Sequence, residues 1–224
     1  MGSIIYEFVS ASTLSIYSLR KSYANMLTVI YPRSKILLSM NEDKIKQYKK
    51  SLLQLIKRKA LKRGRVVLSS GKVSDYYLDG RLVTLDSQGA YLVASIILDL
   101  IRDKKIMALG GPTLGADPIV GAVIALAAKR GKKLSGFIVR KSAKRHGMQR
   151  LIEGPTLRRG SRIILVDDVV TTGGSLIAAG EALKRQGVKV DCAIVIVDRQ
   201  EGAVQNLAKA GCRLISIFKK RDIL

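Results

Sequence analysis

The residues best equipped for chemistry lie in one stretch, RIILVDDVVTTGGSLIAAGEALKRQG, residues 162–187. An apolar run reads as a strand, two acids close it, a Thr-Thr-Gly-Gly-Ser turn follows, and an amphipathic pattern then reads as a helix. Glycines let the backbone approach a phosphate closely, a helix start presents N–H groups with no partner inside the helix, and hydroxyls add further donors. Thr171, Thr172, Gly173, Gly174 and Ser175 therefore make a phosphate cradle. Asp167 and Asp168 repel the same anion, but they can accept hydrogen bonds from vicinal ribose hydroxyls or hold a water-bound magnesium. The two halves together describe a sugar phosphate. A Walker loop is excluded, because no Lys-Ser or Lys-Thr follows the glycines and the acids precede the turn. The plain alternative is an ordinary helix start beside two solvated acids.

A second constellation, VRKSAKRHG, places Arg140, Lys141, Lys144, Arg145 and His146 within seven positions after the apolar run LSGFIVR. Like charges repel, so such a loop is expected to move and to order around a multiply charged anion such as pyrophosphate. Taken alone, a charge run of this kind is ordinarily a solvated loop, and a lone histidine in it an ordinary surface residue. A third element, VDRQEG, ends another apolar run. Its Arg199 can form a forked pair with a planar carboxylate, with a surface salt bridge to Asp198 or Glu201 as the competing role.

The first stretch resembles the phosphoribosyl pyrophosphate (PRPP) motif of the type I phosphoribosyltransferases. The R-K-x-x-K-x-H-G spacing resembles the catalytic loop of the orotate phosphoribosyltransferases in particular. The resemblance covers roughly Met40 to Leu224. It implies transfer of the ribose 5-phosphate of PRPP to orotate, giving orotidine 5′-monophosphate and pyrophosphate for UMP biosynthesis. It further implies that Asp167, Asp168, Val169, Val170 and the Thr171–Ser175 turn hold PRPP, and that Arg140, Lys141, Lys144 and His146 hold its pyrophosphate. Lys144, Arg140 and His146 would be catalytic, some of them reaching into the other subunit of a homodimer with shared sites. Thr171 and Arg199 would meet orotate. Magnesium would be bound mainly through PRPP and pyrophosphate, with no metal ligands supplied by the protein.

Two further segments match with departures. LSSGKVSDYYLDGR resembles the family's base-side segment, with Ser69 where a lysine often stands, and GGPTLGADP resembles its pyrophosphate-side turn, with Leu114 and Gly115 where many members have Tyr-Lys. These departures leave the roles of Lys72, Tyr76, Tyr77 and Asp117 open, and Leu114 and Tyr77 also suit core packing.

Elements must hold these segments in place. Ile45, Tyr48, Leu52, Ile56 and Ala60 fall at helical spacing in NEDKIKQYKKSLLQLIKRKALKR, and an extended VVLSSGKVSDYYLDGR follows. The chain then alternates: a helix near 87–102, a strand IMALG, a helix from Pro118 to Lys129, and strands at LSGFIVR, RIILVDD, VDCAIVIVD and CRLISIF, with helices beginning near Gly174 and Ala203. Such alternation predicts an α/β fold, a mostly parallel sheet flanked by helices, whose ligands gather at the carboxyl ends of the strands. The family resemblance adds a small base-side hood from the N-terminal part.

Composition narrows the rest. With 224 residues, 47% of them hydrophobic, the chain can bury one substantial core without staples. A formal charge of +23 attracts polyanions, small phosphates and nucleic acid alike, yet no zinc-finger spacing is visible and aromatics are only 5%, so nucleic acid is not favoured. Cys192 and Cys212 suggest neither a zinc site nor a disulfide, and buried thiols in a reducing cytoplasm are expected. The apolar stretch 106–128 carries Asp117 near its middle and reads as strand, turn and core helix, not as a membrane span. Residues 1–39 differ from the rest and lack the pattern of a secretory signal. The organised domain, 40–224, is expected to begin at Met40, a natural start.

Overall fold

A computed structural model describes residues 33–67, 73–142 and 151–224; Ser69, Lys72, Lys144, Arg145 and His146 lie outside the described residues. In chain order the elements are α1 (Arg33–Leu55), a single π turn (Ile56–Ala60), β1 (Leu61–Val67), β2 (Val73–Leu78), α2 (Arg81–Thr84), α3 (Ser87–Leu100), β3 (Ala108–Pro112), α4 (Ala116–Lys129) and β4 (Ser135–Val139). They continue with β5 (Ile152–Glu153), β6 (Arg162–Val170), α5 (Gly174–Arg185), β7 (Lys189–Asp198), α6 (Ala203–Lys209), β8 (Leu214–Lys219) and α7 (Lys220–Ile223). The chain divides into two units, Met1–Lys46 and Gln47–Leu224. In the described part of the first, Lys46 pairs with Asp43 one helical turn away.

The second unit holds a six-stranded sheet of order β5-β4-β3-β6-β7-β8 and a separate two-stranded sheet of β1 and β2. All neighbours in the larger sheet are parallel except β4 and β5. The continuous apolar runs 163–166 and 192–197 suit strands covered on both faces. Alternation then divides them. Ile164 and Val166 pack with Leu52, Ile97 and Val123 on one face, while Ile163 and Leu165 pack with Leu176, Leu183 and Leu207 on the other. Helix α3 starts at Asp86, whose carboxylate accepts the Gly89 N–H at 3.0 Å and also pairs with Lys59.

The topology decides where a ligand can sit. From β3 the chain crosses through α4 to β4 on one side, then returns to β6 on the other side of β3 before moving outward to β7 and β8. The order reverses between β3 and β6, which opens a crevice at their carboxyl ends. The expected α/β architecture with a mostly parallel sheet is therefore present, and the stretch 106–128 is strand, turn and helix as read. Among the described residues no helix is long and apolar enough to cross a membrane.

Three local differences have physical causes. The helical spacing through Ile56 and Ala60 holds, with both buried, but the coil widens into the π turn and the chain becomes strand at Leu61. LKRGRVV carries three cations and did not read as a strand. It forms one because it is a ribbon whose charged residues stay in solvent while its backbone pairs with β2. The two-residue β5 and the one-turn helices α2 and α7 are too short to leave a periodic signal.

At the end of the sheet opposite the crevice, Asp191 at the start of β7 accepts a hydrogen bond from Lys104 Nζ at 2.9 Å and one from the Arg162 guanidinium. These donors, Arg162 first, hold its carboxyl down at about 2. A carboxylate depressed in the folded state stabilises above its unfolded value near 4 and loses that contribution as pH falls toward 2. Asp191→Asn is expected to cost about 1 kcal/mol at pH 7. Denaturant unfolding across pH should show the gap closing between about pH 4 and 2.

Candidate active site

An open cleft of about 640 Å³ lies at the crevice between β3 and β6. Three segments line it: Tyr77–Arg81 spanning the end of β2, Pro112–Gly115 leading out of β3, and Asp167–Val169 near the end of β6, with Lys141 and Ser175 also lining it. Each comes from the end of a strand or the start of a helix.

The two acids are tightly enclosed. A methyl group on Gly115 would stand 2.0 Å from Asp167 Oδ1 and 2.6 Å from Asp168 Oδ1, and one on Gly80 would stand 2.7 Å from Asp168 Oδ2. Backbone lies directly against carboxylate at both points, which is why neither residue carries a side chain. The acids are held by their own strand: Asp168 N–H donates to Asp167 Oδ1 at 2.9 Å, and Val169 N–H to Asp168 Oδ1 at 2.7 Å. Burial, and next the charge of Asp168, push the Asp167 carboxyl up to about 8. Burial also raises Asp168, opposed by the Val169 N–H and the Arg81 charge. Burial thus favours a proton on Asp167, and a protonated carboxyl beside its neighbour's oxygens presents both a donor and acceptors.

Past the acids, Thr171 and Thr172 are exposed, and Gly173 takes φ 86° as the residue ahead of α5. A left-handed residue there turns the strand into the helix, and no side chain caps the helix start. Its first N–H groups thus suit an anion. Asn206 Nδ2 donates to the Thr172 carbonyl at 2.9 Å, which ties the turn to α6. Val170 is buried, so its expected contact with PRPP is open only to its backbone, and its carbonyl already accepts the Arg199 N–H at 3.0 Å.

Of the basic loop, Arg140 and Lys141 are described. Lys141 lines the cleft, whereas Arg140 faces an adjoining hollow of about 440 Å³ and pairs with Glu153 at 3.5 Å. Arg199 is not among the cleft's lining residues. Its Nε lies 2.9 Å from Glu201 Oε1 and its guanidinium 4.8 Å from the centre of the Tyr76 ring, so of the two acids weighed as partners it takes Glu201. Tyr76 and Tyr77 point apart, as alternation requires: Tyr76 into the core against Arg199, Tyr77 into the cleft. Asp117 accepts the Thr113 hydroxyl at 2.9 Å and so braces the turn after β3. Cys192 and Cys212 are buried thiols raised by that burial.

Comparison with known proteins agrees with this geometry. Residues 82–217 match the model of the phosphoribosyl transferase domain family. An orotate phosphoribosyltransferase of Streptomyces avermitilis is 48% identical over 174 residues, 77% of this chain and 95% of that one. The chain belongs to the orotate phosphoribosyltransferase family. Among solved structures, the Mycobacterium tuberculosis orotate phosphoribosyltransferase in complex with Fe(III) dicitrate superimposes with a TM-score of 0.70 at 38% identity, covering 79% of this chain and 98% of that one. The same organism's enzyme in complex with PRPP gives a TM-score of 0.67 at 32% identity with the same coverage.

Two charged residues of the cleft lie outside the three central sequence motifs. Asp79 and Arg81 line the cleft, joined by a forked pair with Arg81 Nε at 2.9 Å from Asp79 Oδ1 and Nη2 at 3.0 Å from Oδ2. That pair lowers the Asp79 carboxyl and raises Arg81. The available signal was a charged pair flanking a glycine directly after a strand.

A carboxyl raised by folding has the opposite stability sign to Asp191. The folded chain keeps the Asp167 proton that the unfolded chain releases near pH 4, so this group removes stability as pH rises from about 4 to about 8. Asp167→Asn cannot ionise. In thermal scans without magnesium its Tm is expected to rise relative to the parent across that window and to level off above it; a gap independent of pH would mean that Asp167 does not titrate there.

Proposed function

We infer that the chain joins orotate to the ribose of PRPP, giving orotidine 5′-monophosphate and pyrophosphate in pyrimidine biosynthesis. The observation that carries this reading is the junction at the end of β6, where a paired set of acids meets an uncapped helix start across the Thr171–Ser175 turn. That junction suits a ribose 5-phosphate, with hydroxyls against Asp167 and Asp168 and the 5′-phosphate on the backbone N–H groups of the turn. The family relationship supports orotate as the base.

In the proposed reaction a ring nitrogen of orotate attacks the anomeric carbon, and the C–O bond to pyrophosphate breaks with its electrons going to the leaving group. The transition state has oxocarbenium character, and no protein nucleophile is needed. The chain's own work is positioning and charge. Asp167 and Asp168 fix the ribose, the turn fixes the phosphate, and the Pro112–Gly115 turn with Lys141 and Arg81 flanks the place of the leaving group. Lys144, Arg140 and His146 complete its neutralisation, and Arg199 with Thr171 receives the base. Among the described residues no trio of His, Cys, Asp or Glu is placed to hold a metal ion. Asp167 and Asp168, together with the ligand's own oxygens, would hold a magnesium bound mainly through PRPP, and that ion would supply charge neutralisation at pyrophosphate.

Two copies sharing their sites is the assembly we propose. Leu82, Leu85 and Leu114 are exposed around a hollow of about 700 Å³ beside the cleft, and an apolar rim of that kind favours a protein neighbour. The buried thiols support a reducing cytoplasm as the setting. Residues 1–39 are proposed to be dispensable for the reaction.

Mixing the protein with PRPP, orotate and magnesium is expected to lower the ultraviolet absorbance of orotate only when PRPP is present. Lys144→Ala should reduce kcat about a hundredfold or more, the usual effect of removing one preorganised charge contact. Arg199→Ala should weaken orotate use specifically. Efficient turnover of uracil in place of orotate would move the assignment to another base.

A further inference from the structure

We propose that Glu201 is an internal stand-in for the substrate's carboxylate, occupying Arg199 until orotate displaces it. The inference rests on the reading of Arg199 as the group that receives orotate. The cation is fixed and the anion is not: the Arg199 side chain is 8% exposed and that of Glu201 37%. The Arg199 N–H donates to Val170 O, which anchors its backbone beside the Thr171–Ser175 turn, and its guanidinium lies on the buried Tyr76 ring. Glu201 sits on the short connection to α6, folded back through Gln200 at φ 59°.

The existing pair is an incomplete one. Although Nε and Oε1 are 2.9 Å apart, the Arg199 Nε has no acceptor in hydrogen-bonding alignment. A free planar carboxylate can approach a guanidinium edge-on and form two parallel N–H···O bonds, a better arrangement than a tethered and misaligned one. A second cation waits nearby, since Lys220 Nζ stands 5.2 Å from the centre of the same Tyr76 ring. Asp198 does not compete, because its Oδ1 accepts the Gln200 N–H at 2.8 Å. An incoming carboxylate therefore gains more from Arg199 than Glu201 gives up. A base without a carboxylate cannot make that exchange and leaves Glu201 on Arg199, so Glu201 tunes the affinity for orotate and not for such a base.

Steady-state kinetics of Glu201→Gln test this, with Glu201→Ala as a second variant at an exposed position. Both are expected to lower the KM for orotate about two- to fivefold, the range of an exposed ion pair, without a parallel fall in the KM for PRPP and without improving use of uracil. An orotate KM that stays unchanged or rises overturns the proposal, since Glu201 would then be supporting Arg199 and not occupying it. Arg199→Ala separates the two layers. If it leaves the orotate KM unaltered, the reading of Arg199 and this inference fall together. If it raises the orotate KM while Glu201→Gln fails to lower it, only the role of Glu201 falls.

Discussion

Two adjacent carboxylates buried at the end of a central strand are unstable as a fully charged pair, and much of the architecture answers that constraint. Asp167 and Asp168 occupy the place where β3 and β6 part, enclosed by the backbone of Gly115 and Gly80. Folding meets the cost by retaining a proton on Asp167 up to about pH 8 and by aiming two backbone N–H groups at the carboxylates. Partners that compensate the buried charge, such as hydroxyls or a cation, are thereby favoured in this position. The energy that makes the uncompensated pair costly is the same energy that makes it selective.

Around that point the chain supplies complementary halves. The helix start at Gly174 offers positive potential to an anion, while the acids one turn earlier refuse it. A ligand must present its anionic and its hydroxylic groups in that order, as a sugar phosphate does. The hairpin of β1 and β2 adds a second division of labour. Its alternation sends Tyr77 to the cleft and Tyr76 to the core, where the ring lies against the Arg199 guanidinium. The separate sheet is thus joined to the cleft through side chains and not through shared strand pairing.

Much of this was legible in the residues. The motif at 162–187 specified strand, turn and helix almost to the residue, because each part has a distinct local signal: a run covered on both faces, paired glycines, and a 3.6-residue period. The parallel sheet followed from alternation alone. What was not legible depended on contacts distant in sequence. β1 is hidden by Lys62, Arg63 and Arg65, whose charge says solvent while the backbone pairs with β2. Asp79 and Arg81 became part of the site only because the hairpin delivers them to a crevice formed nearly a hundred residues later. The choice of Glu201 over Asp198 as partner of Arg199 is likewise set by the turn at Gln200, although Asp198 is the nearer in sequence.

On the proposed function, the paired acids and the turn after β6 hold the two ends of one sugar phosphate. A crystal structure of the protein with PRPP tests it most directly. The ribose hydroxyls are expected within hydrogen-bond distance of Asp167 and Asp168, with the 5′-phosphate on the N–H groups of residues 172–175. PRPP bound with its ribose away from both acids, for instance in the hollow between α5 and α6 lined by Lys184, Lys189 and Lys209, would contradict it.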